Sequence, residues 1–255
     1  MVWALCCAAG LSADGVTVAF VPKLTGNAFF DSANAGAQQY AAKPGFSVRY
    51  LGSPEATVES QIAVIEAAVR EGVDALCVSS VDATMLDETM RAARAAGVKT
   101  VTWDSDVSGD ARTVMVSQGT PDILGKMLVD MGVKSLAERG KNPQTDVIRY
   151  VWHYSPAHTA DQNSWQLVGE EHIREKYPKW INLVPENYYS EQNSEKALAI
   201  GEEILETHPD IDLIICNEST PLPGKRQALE NSGKTKDDGH LTGFSAPAPL
   251  PSHSP

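Results

Sequence analysis

Basic residues are scarce in this chain: 21 Lys and Arg stand against 33 Asp and Glu, a formal net charge of −12 over 255 residues. Phosphate backbones are bound by a basic face, and none gathers anywhere along the sequence, so nucleic acid is disfavoured as a partner. Long hydrophobic runs are missing as well, since no stretch approaches the ~20 apolar residues of a membrane span. Cysteine is rare, with four in all. No CxxC and no metal-ligand spacing occurs, which leaves neither a metal nor a cofactor to expect. Cys77 and Cys216 end apolar strands and read as buried free thiols rather than a disulfide pair. There is no nucleophile elbow, P-loop or metal triad either.

The remaining composition is that of a globular protein, with 42% hydrophobic and 21% charged residues, long enough for one large or two modest domains. Both ends stand apart from it. Residues 1–14 are apolar from Val2 to Leu11 and close on Ser12 and Ala13, like the end of a secretory signal. No Lys or Arg precedes Lys23, so the basic part of such a signal is missing, and the expectation is an exported protein with a shortened leader; an ordinary unstructured start is the alternative. Residues 246–255 hold Pro247, Pro249, Pro251 and Pro255 without periodicity. They read as a solvated tail or as an aberrant, truncated end.

Between these ends strands and helices alternate. "VTVAFVP" is a β-branched strand, and "FFDSANAGAQQYAAK" a helix with Phe30, Ala33, Ala37 and Tyr40 near 3.6 spacing. "FSVRYLG" is a strand, "TVESQIAVIEAAVREG" a helix stopped by Gly72, and "VDALCVSS" a strand. "MLDETMRAARAAG" is a helix and "VKTVTW" a strand. A second series follows near Val114, with helices at "TPDILGKMLVDMGVKSLAERG", "DQNSWQLVGEEHIREKYP", "SEQNSEKALAIGEEILETHP" and "PGKRQALENSG". Its strands are "DVIRYVWHY", "INLVPENYY", "IDLIICNE" and "HLTGFS". The pattern predicts an α/β fold of two Rossmann-like lobes, 15–115 and 116–245, joined by a hinge with an extended crossover near Val114–Gln118.

In open parallel sheets, ligands bind beyond the carboxyl ends of the strands. The first lobe offers Lys23, Asn27, Phe29 and Phe30 after strand one, Ser79, Ser80 and Asp82 after strand three, and Trp103, Asp104 and Asp106 after strand four. The second lobe offers His158, Asp161, Gln162, Asn163 and Trp165, then Asn217, Glu218 and Ser219. Carboxylates accept hydroxyl hydrogens, amides donate and accept, and aromatic faces cover the apolar side of a ring, so the set suits a small polyhydroxylated ligand. Each residue has a plainer reading: Lys23 as a snorkelling surface lysine, Asp104 and Asp161 as turn or cap acids, Trp103 and Trp165 as core. Their shared position at one end of the sheets favours a cleft between lobes. An enzyme is the rival class, with Asp104 and Asp161 as a glycosidase-like pair and His153 or His158 adding acid–base chemistry. A sugar-responsive repressor would need a DNA-binding headpiece before residue 15, where the chain is apolar.

"VAFVPKLTGNAFFDSANAGAQQ", "VTWDSD", "SQGTPDILGKMLVDM", "TADQNSW" and "GFSAP" resemble the type I periplasmic binding proteins of ABC importers, over about 16–247. Within them the resemblance is nearest to the branch that captures autoinducer-2, with the rhamnose-binding branch as neighbour. It implies a non-enzymatic, monomeric receptor that hands its ligand to a permease. It further implies that Lys23, Asp104, Asp161 and Gln162 hold a cyclic tetrahydroxylated ligand, the two aspartates gripping ring hydroxyls from opposite lobes. Phe29, Phe30, Trp103 and Trp165 are candidate ring platforms. The family's remaining contacts come from a Pro-x-Ala segment, where this chain reads Asn217-Glu218-Ser219, so those positions bear on ligand identity. Relatives continue past "GFS.P" with elements that recross the hinge, which is the expectation behind a truncated end here.

Overall fold

The computed structural model describes residues 15–154, 160–217, 221–233 and 241–243, which build two parallel sheets with their helices. The first lobe runs β1 (Val16–Val21), α1 (Ala28–Ala41), β2 (Phe46–Tyr50), α2 (Val58–Arg70), β3 (Ala75–Val78), α3 (Asp87–Ala95), β4 (Lys99–Trp103) and β5 (Val114–Val116). Across the sheet the order is β2-β1-β3-β4-β5, so the build reverses between β1 and β3, where Val18 lies between Val48 and Ala75. The core here is aliphatic: Ala19 and Val21 of β1 meet Leu76, Val78, Ile65, Ala68 and Met90. Thr57 starts α2 by accepting the Ser60 N–H at 3.1 Å, and Gly72, at φ +79°, ends it as the sequence predicts.

The second lobe runs α4 (Pro121–Glu138), β6 (Ile148–Tyr154), α5 (Ala160–Lys176), β7 (Trp180–Asn182), β8 (Tyr188–Tyr189), α6 (Ser194–Thr207), β9 (Leu213–Cys216), α7 (Pro221–Asn231) and β10 (Leu241–Gly243). The order is β10-β9-β6-β7, with β8 also pairing with β6. The core on the α4–α5 side of this sheet is aromatic, with Tyr150, Trp152, Tyr154, Trp165, Tyr177 and Trp180 packed beside Leu128 and Leu136, while Val151, Ile200, Ile204, Ile214 and Ala228 form an aliphatic one on the other side. Burying rings that carry N–H and O–H groups requires partners. Glu170 supplies one, accepting from the Tyr150 hydroxyl at 2.7 Å and the Trp152 indole at 2.6 Å. Gly125 and Gly169 let α4 and α5 touch. A Cβ on Gly125 would run into the Trp165 carbonyl oxygen, and one on Gly169 would meet the Trp152 ring at 2.8 Å.

Two expectations change. The strand at Val114 completes the first sheet, with Val101 opposite Val114, instead of opening the second series. The single strand expected at "INLVPENYY" is two: β7 pairs near Ile148 and β8 near His153. Pro185 has no N–H to give a ladder, and Asn187 turns the chain at φ +62° between them. Cys77 and Cys216 lie on different sheets and form no disulfide, but Cys77 is only partly buried. Among the described residues no helix is long and apolar enough to cross a membrane.

Candidate ligand-binding cleft

The carboxyl ends of both sheets open into one cleft, with about 420 Å³ of empty space when its open mouth is included. Its walls combine Lys23, Asn27, Phe29, Phe30, Asp104 and Gln118 from the first half of the chain with Gln162, Trp165, Gln192 and Asn217 from the second.

The first wall centres on Asp104, which follows β4 in a left-handed conformation at φ +60°. Such a backbone costs a non-glycine residue on the order of 1 kcal/mol, least for Asp and Asn, and tends to persist where the surroundings hold it. Here they do. Asp104 Oδ2 accepts the Ser79 hydroxyl at 2.7 Å and lies 3.4 Å from the Lys23 ammonium, while Oδ1 accepts from Gln118 Nε2 at 3.0 Å. Lys23 is 3% exposed, so the snorkelling reading fails: its charge is buried beside a carboxylate at the end of β1. Beneath them Gln61 donates to the carbonyls of Pro22 and Ser79 and accepts the Val81 N–H, tying the ends of β1 and β3 together.

Aromatic rings line the same wall. Asn27 caps α1 by accepting the Phe29 N–H at 2.9 Å, which sets Phe29 and Phe30 in the first turn with rings edge to face at 5.2 Å. Trp103, expected as a platform, stands behind Phe30 instead. It stacks on Phe20 at 4.6 Å, meets Phe30 edge-on at 5.8 Å and donates its indole N–H to the Cys77 carbonyl. Several strand-end polar residues likewise turn out to be structural. Asp82 accepts the amides of Thr84 and Met85, and Ser80 donates to the Asp82 carbonyl. Asp106 holds Arg112 at 2.8 Å. Partial burial would raise its pKa, but hydrogen bonds from Arg112 and Thr102 keep it below the usual carboxylate range.

On the second wall, Gln162 and Trp165 project from the start of α5, each only 5–6% exposed, and Asn217 stands just past β9, 1% exposed. Asp161 occupies the first turn of α5 next to Gln162, and its side chain lies outside the described residues. His158, Glu218 and Ser219 lie outside them too. Asn163, also on α5, is not part of the cleft wall. His153 does not fit the acid–base role proposed for it. It is fully buried on β6, and burial first, then the charges of Lys225 and Lys196, push its pKa down to about 2.

Gln118 and Gln192 were not foreseen. Gln118 sits in the crossover whose position the pattern does mark. Gln192 sits in "SEQNSE" between β8 and α6, where no periodicity singles out one polar residue from its neighbours. Among the described residues no group of three or more His, Cys, Asp and Glu is placed to hold a metal ion.

The fold has known counterparts. The chain is similar to the solved structure of LsrB from Clostridium saccharobutylicum in complex with AI-2. The two are 56% identical, the match covers 90% of this chain and 71% of that one, and the TM-score is 0.87. It shares its fold, at 21% identity and TM-score 0.74, with an ABC transporter solute-binding protein from Clostridium phytofermentas with bound L-rhamnose, over 86% of this chain and 65% of that one. It is 23% identical over 215 residues to the ribose import binding protein RbsB of Bacillus subtilis (strain 168), over 82% of this chain, and spans 63% of that relative's length. The family model for the periplasmic binding protein domain matches residues 18–249, and the chain belongs to that family.

Proposed function

We propose that this chain is an extracytoplasmic solute receptor that captures autoinducer-2 in the interlobe cleft and hands it, as a monomer, to the permease of an ABC importer. The observation that carries the reading is the buried Lys23–Asp104 pair, held by Ser79 and Gln118, facing amide side chains across a cleft walled by Phe29, Phe30 and Trp165. A carboxylate and amides offer acceptors to several hydroxyls at once, and the rings cover what is apolar in a small cyclic ligand. In this reading Asp104 and Asp161 take ring hydroxyls from opposite lobes, Lys23 donates to a ligand oxygen, and Gln162 completes the cage with the segment Asn217–Ser219. The likeness to the AI-2 complex favours this ligand over other polyols.

One observation favours a second reading, a monosaccharide receptor. Asn217 brings a buried amide to the wall. An amide both donates and accepts, the pairing that a sugar hydroxyl offers in return. A glycosidase has less support, since His153 is buried and neutral and Asp104 is already engaged by three side chains.

A thermal-shift titration of the purified chain with autoinducer-2, rhamnose and ribose tests the proposal. Ligand at about 100 times its Kd stabilises a receptor by about 2.7 kcal/mol, a melting shift of about 5–10 °C at this size. A shift with autoinducer-2 alone is expected. A shift with rhamnose or ribose alone moves the chain to the monosaccharide reading.

A further inference from the structure

Gln192 enters the cleft from a loop whose shape is set on both sides. Before it, Ser190 is fully buried and bonds twice to the Tyr154 carbonyl at the end of β6, through its N–H at 3.0 Å and its hydroxyl at 3.2 Å. After it, Asn193 caps α6 by accepting the Lys196 N–H at 2.8 Å. Between these anchors Glu191 and Gln192 both adopt left-handed backbone, at φ +52° and +57°. Two adjacent non-glycine residues in that region are costly, roughly 1 kcal/mol each, and glycine would make the same turn without strain. Glu191 turns outward, 3.1 Å from the Lys196 ammonium. Gln192 turns inward and lines the cleft.

Its amide oxygen is buried and has no hydrogen-bond partner among the described residues, and the same is true of the Gln162 amide oxygen on the same wall. A buried acceptor left without a donor costs about 1–3 kcal/mol. The wall across the cleft differs, because there the Asp104 carboxylate is already supplied by Ser79 and Gln118. The second wall therefore offers acceptors that are short of donors, and a ligand with hydroxyls on that side can supply them.

We propose that Gln192 is a further ligand-binding residue, its amide oxygen accepting a ligand hydroxyl beside Gln162 and selecting for ligands that carry one there. The proposal rests on the receptor reading above. Calorimetric titration of autoinducer-2 into the full chain, Gln192→Met and Gln192→Glu tests it, with a thermal melt of each. Methionine keeps the length and removes the acceptor, and glutamate keeps an acceptor. The expected result is an affinity about tenfold weaker for Gln192→Met with an unchanged or higher melting temperature, and within about threefold of the original for Gln192→Glu. Equal affinity in Gln192→Met overturns the contact. So does an equal loss in both variants, or a loss accompanied by a lower melting temperature, which marks a structural role. If the unmodified chain binds no autoinducer-2, the receptor reading for this ligand fails and the proposal goes with it.

Discussion

The two lobes share a strand order but prepare their halves of the cleft differently. In the first, an aliphatic core leaves the polar groups to gather at the strand ends, where Lys23, Ser79, Gln118 and Asp104 satisfy one another. That half-site is organised before any ligand arrives. In the second, whose sheet packs an aromatic core on one face and an aliphatic one on the other, several buried polar groups lack hydrogen-bond partners among the described residues: both nitrogens of His153, the Tyr154 hydroxyl, the Lys225 amine, and the amide oxygens of Gln162 and Gln192. One lobe holds a preorganised acceptor, and the other brings two of these groups, the amide oxygens of Gln162 and Gln192, to the cleft wall, where a ligand can complete them. Preorganisation on one side and unmet demand on the other is a workable division for a cleft that must bind and release.

The largest effect is expected from breaking the organised half. Asp104→Asn removes the charge that faces Lys23 and should weaken autoinducer-2 binding by at least about 100-fold in calorimetry. Because the Lys23 ammonium is buried, the variant should also melt several degrees lower, as removing one partner of a buried ion pair costs about 3–5 kcal/mol. Unchanged binding would show that the first lobe does not hold the ligand.

Next come changes to the second lobe. Gly125→Ala pushes α4 from α5 at the Trp165 carbonyl and should cost about 3 kcal/mol in urea unfolding. Lys225→Met should act in the opposite direction. Burial drives the Lys225 pKa from 10.5 down to about 7. Between those values the unfolded chain carries a proton that the folded chain lacks, so stability falls as pH drops from about 10.5 to 7 and then levels off for this group. His153, depressed from 6.5 to about 2, extends the fall below pH 6.5. Lys225→Met should therefore stabilise the chain by on the order of 2 kcal/mol at pH 7 and flatten the slope between pH 7 and 10, read from denaturation midpoints. A slope that survives the substitution would place the titrating group elsewhere.

The smallest effect separates support from contact in the first lobe. Gln118→Ala takes one donor from Asp104 Oδ1 and should weaken binding about fivefold, with the melting temperature nearly unchanged. A loss as large as that of Asp104→Asn would make Gln118 a ligand contact in its own right.

Much of this was legible in the sequence, and the parts that were not have physical reasons. Periodicity found the helices and the strand ends because buried faces repeat, and Thr57, Gly72 and Pro121 mark their boundaries through local chemistry. Lys23, Asn27, Phe29, Phe30, Asp104, Gln162, Trp165 and Asn217 do come to one cleft, because parallel strands deliver their ends to one side. Pairing was less legible. A three-residue strand such as β5 has no pattern that says which sheet it joins, and Pro185 interrupts a run whose β-branched and aromatic residues read as continuous. Trp103 read as a platform because sequence marks an aromatic at a strand end but not which way its ring turns. Gln192 was missed because left-handed backbone in a polar loop leaves no trace in composition.

The central claim is that Asp104 anchors a hydroxylated ligand between the lobes, and calorimetric titration of autoinducer-2 into the unmodified chain and Asp104→Asn tests it most directly. Saturable binding near one ligand per chain, lost in Asp104→Asn, is the expected result. Binding that survives Asp104→Asn, or heat with rhamnose or ribose and none with autoinducer-2, would contradict it.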